Sequence, residues 1–353
     1  MHTVDQIRHL HLELSSFCNA RCPQCPRNYA GYPYNAGYEE KNLPLELIKR
    51  VFTPKIINQF YKGVLFCGNL GDPSANLETA DIVRYFYESA PNIRMFMDTN
   101  GSARGLDFWR DLGKTSVEVY FALDGLEDTH HLYRQDTNWR RILENATAFM
   151  SSGIGKATWK MILFDHNRHQ VDDCRNLAKQ LGFHDFILVD AGRNTGPVFD
   201  RQGNHTHSLG EFTGKMTIES LIARKKPKYV DVPMTPHIKP NCYSVNEKSI
   251  YVSAEGRVYP CCFIGFSPQT FMHGGTGVFN QQIKLIEKRN NLWEDDLDIC
   301  MEWFNAVEES WDKQSYKEGR LMACESFCGA CSGKKVNNRV EYSINNTGDS
   351  AIA

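Results

Sequence analysis

Three cysteines stand close together near the start of the chain, and the next cysteine lies far beyond them. They are Cys18, Cys22 and Cys25, in the run Cys-Asn-Ala-Arg-Cys-Pro-Gln-Cys. Structural zinc sites and iron–sulfur clusters normally have four protein ligands. Three thiolates on a four-iron cluster leave one iron free to bind another molecule, so the spacing predicts a loop wrapped around a reactive cluster. A zinc ion with a distant fourth ligand is the alternative at this point.

Composition narrows the class of protein. The chain has 353 residues, of which 41% are hydrophobic and 23% are charged, which is enough for two domains with a substantial core. A formal net charge of −2 gives no general attraction to nucleic acid or to an anionic membrane. The sequence shows no apolar signal segment at its N-terminus and no stretch that would span a bilayer. Twelve cysteines in such a chain favour metal or cluster ligation in a reducing cytoplasm.

Short apolar segments alternate with helical patterns over residues 1–200. The predicted strands are His9–Phe17, Val64–Cys67, Ile93–Met97, Val117–Leu123, Trp159–Phe164 and Phe186–Val189. This alternation indicates an α/β fold with a parallel sheet and right-handed crossovers. Polar tips follow the strands repeatedly, where parallel α/β folds build their sites. An open partial (β/α)6 barrel fits this pattern, and a flavodoxin-like open sheet is the alternative.

The rest of the chain changes in composition. We expect a barrel over residues 1–200, a bridging segment over 201–238, a small cysteine-rich domain over 239–335 and a polar tail over 336–353. In the cysteine-rich part, Ser249–Ser253 and Arg257–Tyr259 flank a Glu-Gly turn and predict a β-hairpin. The hairpin would bring Cys242 close to Cys261.

Two motifs in the first half resemble those of the radical S-adenosylmethionine (radical SAM) superfamily. The spacing of the three N-terminal cysteines matches the cluster loop of that family, in which the open iron chelates the amino and carboxylate groups of SAM. Gly71-Asp72-Pro73 resembles the family's Gly-Gly-Glu-Pro element, which holds the SAM ammonium, with Leu70 and Asp72 in place of glycine and glutamate. Alone, the same tripeptide is also typical of an ordinary turn.

Further segments at the predicted strand ends resemble elements of the same family. Thr99-Asn100-Gly101 resembles the segment near the SAM ribose. Phe121–Gly125 resembles a fourth-strand element that contains Asp124, with Ala122 in place of the usual serine. The order of these elements along the chain makes the set more specific than any one of them.

Other SAM contacts follow from the resemblance. Arg134 matches a family arginine that often pairs with the SAM carboxylate, a task that suits a bidentate guanidinium. Gln24 stands where the family commonly has an aromatic residue that packs on the adenine. We therefore expect the adenine contact from Phe17 or from the region of Leu163.

The C-terminal cysteines resemble the opening of the SPASM and twitch domains of radical SAM enzymes. The four expected ligands are Cys242, Cys261, Cys328 and Cys331, with Cys324 or Cys262 as alternates. Four thiolates satisfy one auxiliary iron–sulfur cluster, so the count fits the shorter twitch type with its β-hairpin and helix. A zinc ribbon is the structural alternative.

The resemblance implies an enzyme with a SAM-binding [4Fe-4S] cluster. In the family, one electron from this cluster breaks a carbon–sulfur bond of SAM and releases a 5′-deoxyadenosyl radical, which removes a substrate hydrogen. The electron comes from an external flavodoxin-like or ferredoxin-like donor, and the auxiliary cluster accepts an electron or orients the substrate. The acid–base candidates are Asp190, Arg193, Glu13 and Lys160, each of which is also compatible with a buried ion pair.

The substrate class stays open between a small molecule and a peptide. Because the barrel pattern begins almost at residue 1, without the leader-binding module common in peptide-modifying relatives, we expect a small molecule or a substrate recognised without a leader. A peptide-modifying maturase is the second hypothesis. A non-catalytic iron–sulfur or zinc-binding protein is the hypothesis from a different class.

Overall fold

The computed structural model describes residues 2–33, 39–189, 196–210, 217–220, 240–266, 283–286, 288–315 and 318–328. The strands are β1 (His9–Leu12), β2 (Asn28–Tyr29), β3 (Tyr32–Pro33), β4 (Gly63–Phe66), β5 (Met95–Thr99), β6 (Glu118–Ala122), β7 (Lys156–Ile162), β8 (Asp185–Val189), β9 (Gly196–Phe199), β10 (His205–Leu209), β11 (Ser249–Val252) and β12 (Val258–Tyr259). The helices are α1 (Leu45–Val51), α2 (Pro54–Ile57), α3 (Thr79–Ser89), α4 (Leu106–Leu112), α5 (Glu127–Tyr133), α6 (Trp139–Met150), α7 (Val171–Leu181), α8 (Tyr243–Glu247), α9 (Cys262–Phe266), α10 (Leu297–Cys300), α11 (Glu302–Ser310) and α12 (Met322–Cys328). Within these described ranges, no helix has the length and apolar character that a membrane span requires.

The main sheet confirms the predicted α/β fold. Strands β1, β4, β5, β6, β7 and β8 lie side by side in chain order, and each neighbouring pair is parallel. A flavodoxin-like sheet would place its first strand between later ones, so the sequential order excludes that alternative. The open partial barrel is therefore the observed architecture. All the β-to-α loops of this series meet at one edge of the sheet.

Alternation along the strands separates an outer apolar core from a more polar inner face. On β1, Leu10 and Leu12 are fully buried in the main hydrophobic core, whereas His9 and His11 on the other face are partly exposed. Aromatic rings fill the helix-covered side of the sheet, where the ring centroids of Phe121 on β6 and Trp109 on α4 lie 5.2 Å apart. Close packing of this kind resists displacement of the strand ends and so fixes the polar residues that follow them.

The first strand is shorter than predicted. It ends at Leu12 rather than Phe17, because the chain then bends away to form the cysteine loop. The Glu13 amide still donates to the Val252 carbonyl at 2.9 Å, and Ser15 forms an isolated antiparallel bridge with Asn42.

The predicted C-terminal hairpin is present and joins the barrel sheet. Strand β11 pairs in parallel with β1, with His9 opposite Ser249 and Leu12 opposite Val252. Strand β12 pairs antiparallel with β11 and completes an eight-stranded sheet. The hairpin beside Cys261 is therefore hydrogen-bonded to the strand that leads into the N-terminal cysteine loop.

A second antiparallel pair, which the sequence analysis did not predict, follows the barrel. Strands β9 and β10 form a ribbon that packs on the cysteine loop. The Phe199 amide donates to the Ala30 carbonyl at 2.8 Å. Val198 and Leu209 share a hydrophobic cluster with Cys22, so the ribbon covers one side of the cysteines.

Candidate functional site

The N-terminal cysteines are gathered in one tight loop. The Cys25 amide donates to the Cys22 carbonyl at 2.9 Å, and the Asn28 amide donates to the Cys25 carbonyl at 2.9 Å. Burial, together with the neighbouring Cys22, raises the pKa of Cys25 to about 11. Burial, Asp72 and the other two cysteines raise the pKa of Cys18 as well. Thiols in such a setting become thiolates when a metal cation binds them, so the donor set fits an iron–sulfur cluster.

A buried ion pair lies against the middle cysteine. Nη1 of Arg134 donates to Sγ of Cys22 at 3.7 Å, and Nε donates to Oδ2 of Asp124 at 2.6 Å. Burial alone would lower the pKa of Arg134, but the Asp124 carboxylate raises it above its ordinary value, so the guanidinium stays charged. A guanidinium carries five N–H donors, and within the described residues two of its nitrogens are engaged here. The remaining donors suit a ligand carboxylate.

The Asp72 carboxylate, expected beside the SAM ammonium, is held by protein donors. It is 5% exposed and accepts five hydrogen bonds, from the amide and hydroxyl of Ser74, the hydroxyl of Thr99, and the amide and side chain of Asn100. These contacts join the loop after β4 to the loop after β5. Nδ2 of Asn100 also lies 3.6 Å from Sγ of Cys18, so Asp72 orients Asn100 toward a cluster cysteine.

The segment 68–71, which we call the Gly68–Gly71 loop, runs very close to the cysteine loop. A methyl group on Gly71 would overlap the Ser15 carbonyl, so only glycine permits this approach. The next residue, Asp72, donates its amide to the Phe17 carbonyl at 2.8 Å. Nη1 of Arg27 adds a contact to the Leu70 carbonyl at 3.3 Å. Together these contacts place the proposed ammonium-binding loop beside the cysteines.

The two adenine candidates differ in exposure. Phe17, directly before Cys18, is 38% exposed. Leu163, directly after β7, is 8% exposed, and its amide donates to the Val189 carbonyl at 3.0 Å. Pro73 opens a short 3-10 turn behind the Gly68–Gly71 loop and is buried.

Asp124 organises the far side of the site. It is fully buried, and Oδ1 accepts the Ile162 amide at 2.6 Å. The Asp124 amide donates to Nδ1 of His130 at 3.1 Å. Burial, with the charge of Arg134 as the second cause, lowers the pKa of His130 to about 3. His130 is therefore neutral at physiological pH and serves as a hydrogen-bond acceptor.

His130 predicts a pH dependence of stability. Its pKa is lower in the folded state than the ordinary value of 6.5, so the unfolded chain takes up a proton first as the pH falls. Above pH 6.5, His130 is neutral in both states and does not make the free energy of unfolding depend on pH. Between about pH 6.5 and pH 3, the free energy of unfolding falls by up to about 1.4 kcal/mol for each pH unit, because only the unfolded state binds the proton. The unfolded-state pKa of 6.5 lies inside the range from pH 7.0 to 5.5, so over that range we expect the wild type to lose about 1 kcal/mol more stability than His130→Asn in anaerobic urea unfolding. Parallel pH profiles of the two proteins would contradict the assignment.

The acid–base candidates are placed differently. Nζ of Lys160 forms an ion pair with Oδ1 of Asp98 at 2.7 Å and lies 5.3 Å from the centre of the Tyr120 ring. The pair is only partly buried, on the inner face of the barrel, with side-chain exposures of 22% and 28%. Glu13 is 1% exposed, and burial raises its pKa. Asp190 and Arg193 lie outside the described residues.

Four C-terminal cysteines line one small apolar cavity. They are Cys242, Cys261, Cys324 and Cys328. Two of them, Cys324 and Cys328, lie four residues apart on α12, a spacing that puts both thiols on one helix face. A hydrogen bond between the thiols of Cys242 and Cys328 lowers the pKa of Cys328 and raises that of Cys242. This donor set fits one auxiliary iron–sulfur cluster.

Two other cysteines were expected from sequence as C-terminal ligands or alternates, Cys331 and Cys262. Cys331 lies outside the described residues. Cys262 follows Cys261 at the start of α9 and packs against the same hydrophobic cluster, but it is not among the residues that line the four-cysteine cavity. Around the four-cysteine cavity, Trp303, Tyr251 and other buried side chains form a hydrophobic cluster. Among the described residues, no group of three or more His, Cys, Asp and Glu side chains has the arrangement of a single-metal-ion site.

A comparison with protein families identifies the barrel. Residues 12–178 match the family model described as the Radical SAM superfamily, and this range contains all three N-terminal cysteines. Residues 12–178 therefore form a radical SAM domain, as the motifs indicated, and a domain of this superfamily supports an enzyme. No curated protein sequence matches the chain significantly.

Several solved structures share the fold. SuiB of Streptococcus suis bound to S-adenosylmethionine is 13% identical, with a TM-score of 0.50 over 90% of this chain and 77% of that one. SuiB bound to its precursor peptide SuiA is 12% identical, with a TM-score of 0.54 over 90% and 76%. A polyhistidine-tagged anSMEcpe with bound AdoMet is 14% identical, with a TM-score of 0.50 over 90% and 86%. At these identities, the likeness establishes the fold.

Proposed function

We propose that this enzyme cleaves SAM reductively at the N-terminal cysteines and removes a hydrogen atom from its substrate. Cys18, Cys22 and Cys25 would hold a [4Fe-4S] cluster. With SAM bound, such a cluster would pass on one electron from an external donor, which cleaves a carbon–sulfur bond of SAM to methionine and a 5′-deoxyadenosyl radical. The observation that carries the proposal is the three-thiol loop with Arg134 and Asn100 directed at its sulfur atoms.

The surrounding residues have separate tasks in binding SAM. Arg134, held in orientation by Asp124, offers its remaining N–H donors to the SAM carboxylate. The Gly68–Gly71 loop offers backbone carbonyls to the ammonium, while Asp72 acts from behind by orienting Asn100. Thr99 and Asn100 stay the candidates near the ribose, as do Phe17 and Leu163 near the adenine.

The C-terminal cysteines would hold one auxiliary cluster of the twitch type. Cys242, Cys261, Cys324 and Cys328 are the proposed ligands because they share one cavity, and Cys331 is the alternate. The apolar shell around them excludes water, and burial of this kind tunes the potential of an iron–sulfur cluster. The cluster would accept an electron from the substrate or orient it.

The inner face of the barrel is the proposed substrate chamber. Lys160 is the best placed acid–base group there, since it is partly exposed and its ion pair with Asp98 orients the ammonium. Asp190 and Arg193 remain candidates from sequence. The β9–β10 ribbon, which packs on the cysteine loop, would help to keep water away from a reactive radical.

A peptide is the favoured substrate class, and a small molecule is the second. The structural likeness to SuiB, solved with its precursor peptide, supports the first. The expected electron donor is a flavodoxin-like or ferredoxin-like protein. We propose the cytoplasm as the compartment because the thiol-rich sites require reducing conditions.

The test is formation of 5′-deoxyadenosine by anaerobically reconstituted, reduced protein with SAM. Deuterated candidate peptides and small molecules are added in separate arms, and deuterium is followed into 5′-deoxyadenosine by mass spectrometry. We expect cleavage of SAM and deuterium transfer from one class of substrate. A protein that neither binds nor cleaves SAM is instead an electron carrier or a zinc-binding module.

The auxiliary cluster has a separate test, which is the metal and sulfide content of the protein. Zinc without sulfide in the C-terminal site would refute the auxiliary cluster.

A further inference from the structure

Glu13 is a buried carboxylate that contacts two distant parts of the chain. Its Oε1 accepts the Leu70 amide at 2.8 Å and the Gly71 amide at 3.2 Å. Its Oε2 accepts the hydroxyl of Tyr251, and the Ala254 amide adds a further hydrogen bond. Both oxygens are therefore engaged by protein donors. A residue in this position holds its neighbours in place rather than exchanging a proton with a substrate.

The contacts on Oε1 determine how the Gly68–Gly71 loop presents its carbonyls. In a trans peptide, the N–H and C=O groups point in opposite directions. Because the amides of Leu70 and Gly71 point at Glu13, the carbonyls of Asn69 and Leu70 point away from it. The loop must approach the carboxylate closely to do this, since a Cβ on Gly68 would lie 2.9 Å from Oε1.

Tyr251 connects this carboxylate to the C-terminal cysteines. Its ring is 1% exposed and belongs to the hydrophobic cluster that contains Cys242 and Cys324. The ring stacks at 28° on Tyr259, with centroids 6.3 Å apart, and packs edge-on against His11 at 4.9 Å. The hydroxyl position is therefore set by the packing of the hairpin around the four-cysteine cavity.

A second contact joins the same loop to the same part of the chain. Nδ2 of Asn69 donates to the Cys262 carbonyl at 3.1 Å. The C-terminal part of the chain thus contacts the Gly68–Gly71 loop in two ways. Tyr251 acts through the Glu13 carboxylate, and the start of α9 accepts a hydrogen bond from Asn69 directly. Neither contact involves the N-terminal cysteines.

We propose that Glu13 and Tyr251 form a positioning pair through which the C-terminal cysteine region sets the SAM affinity of the Gly68–Gly71 loop. This inference rests on the proposed function, because it assumes that the loop binds SAM. It assigns Glu13 a positioning role and gives the C-terminal hairpin a part in cofactor binding that is separate from any electron transfer. Without the Tyr251 hydroxyl, the buried carboxylate loses one donor and the loop loses its fixed orientation.

The test compares SAM binding to anaerobically reconstituted wild type, Tyr251→Phe and Tyr259→Phe. Both variants remove one hydroxyl from neighbouring rings of the same hairpin, and of the two hydroxyls it is that of Tyr251 that donates to Glu13. We expect Tyr251→Phe to weaken SAM binding by about tenfold, the usual scale for a buried hydrogen bond to a charged group. Tyr259→Phe should bind SAM like the wild type. Iron content and unfolding temperature, measured on both variants, show whether the clusters and fold are retained.

Glu13→Gln supplies a second measurement. Its amide oxygen can still accept from the Gly68–Gly71 loop, so we expect a smaller loss of affinity than for Glu13→Ala. In the double variant Glu13→Gln/Tyr251→Phe, the loss of SAM affinity should differ from the sum of the two single losses, because both residues belong to one hydrogen-bond network. Wild-type SAM affinity in Tyr251→Phe would overturn the positioning pair while leaving the proposed function intact. Failure of the wild type itself to bind SAM would refute the proposed function.

Discussion

Cys22→Ala is expected to abolish formation of 5′-deoxyadenosine from SAM. Cys22 lies at the centre of the three-cysteine loop and is the only one of the three in contact with Arg134 among the hydrogen bonds of the described residues. Two thiolates cannot retain a cluster that already relies on three. Loss of outer-shell partners alone costs roughly 10–100-fold in metal affinity or activity, so loss of a ligand should cost more than about 100-fold.

The matched control for this variant is Cys174→Ala. Cys174 is fully buried on α7, packed in the apolar core away from both cysteine sites. The substitution removes the same atom, so any general effect of losing a buried thiol appears in both variants. We measure 5′-deoxyadenosine by chromatography after anaerobic incubation with a reductant. Equal product from Cys22→Ala and Cys174→Ala would defeat the assignment of the N-terminal site.

Cys324→Ala is expected to remove the auxiliary cluster and separate SAM cleavage from substrate turnover. Iron should fall from about eight to about four atoms per chain, since each [4Fe-4S] cluster contributes four. The three N-terminal cysteines are unchanged, so at saturating SAM 5′-deoxyadenosine should still form without the modified substrate. Iron and acid-labile sulfide analysis, with product assays, check both statements.

Two further cysteine variants decide the ligand set. Cys262→Ala should retain both clusters, because Cys262 is not among the cysteines that line the four-cysteine cavity. Cys331→Ala should also retain them if Cys324 is the fourth ligand. Full iron in Cys324→Ala, together with loss of iron in Cys331→Ala, would reverse the choice in favour of the ligands first expected from sequence.

Much of the fold could be predicted because its signals are local. Each strand of the barrel carries its own apolar pattern, and parallel strands place their polar tips at one edge. The three N-terminal cysteines lie within eight residues, so their association needed no knowledge of tertiary structure. The strand β1 was predicted too long because Leu14 continues the alternation of Leu10 and Leu12, whereas the regular strand ends at Leu12.

Contacts between distant segments could not be predicted in the same way. Glu13 and Tyr251 are 238 residues apart, and nothing in either local sequence indicates a partner. The position of β11 beside β1 depends on how the C-terminal segment folds back, which periodicity does not report. These pairings are determined by tertiary packing rather than by local propensity.

The Asp72 motif shows a different limit. Gly71-Asp72-Pro73 predicts an acidic side chain beside SAM, and this stays a prediction; the structure adds that the carboxylate accepts hydrogen bonds from Ser74, Thr99 and Asn100. A motif specifies a turn and a residue type, but the number of donors around a buried carboxylate depends on the loops that meet there. The spacing Cys324-x-x-x-Cys328 was the available signal for the C-terminal ligands, because one helical turn puts both thiols on one face.

Electron paramagnetic resonance of reduced Cys324→Ala protein, recorded with and without SAM, examines the open N-terminal cluster in isolation. With the auxiliary cluster removed, the signal comes from the cluster at Cys18, Cys22 and Cys25. We expect the spectrum to change when SAM is added, because SAM would bind the iron that no cysteine occupies. A cluster signal that is identical with and without saturating SAM would contradict an open, SAM-binding site in this loop.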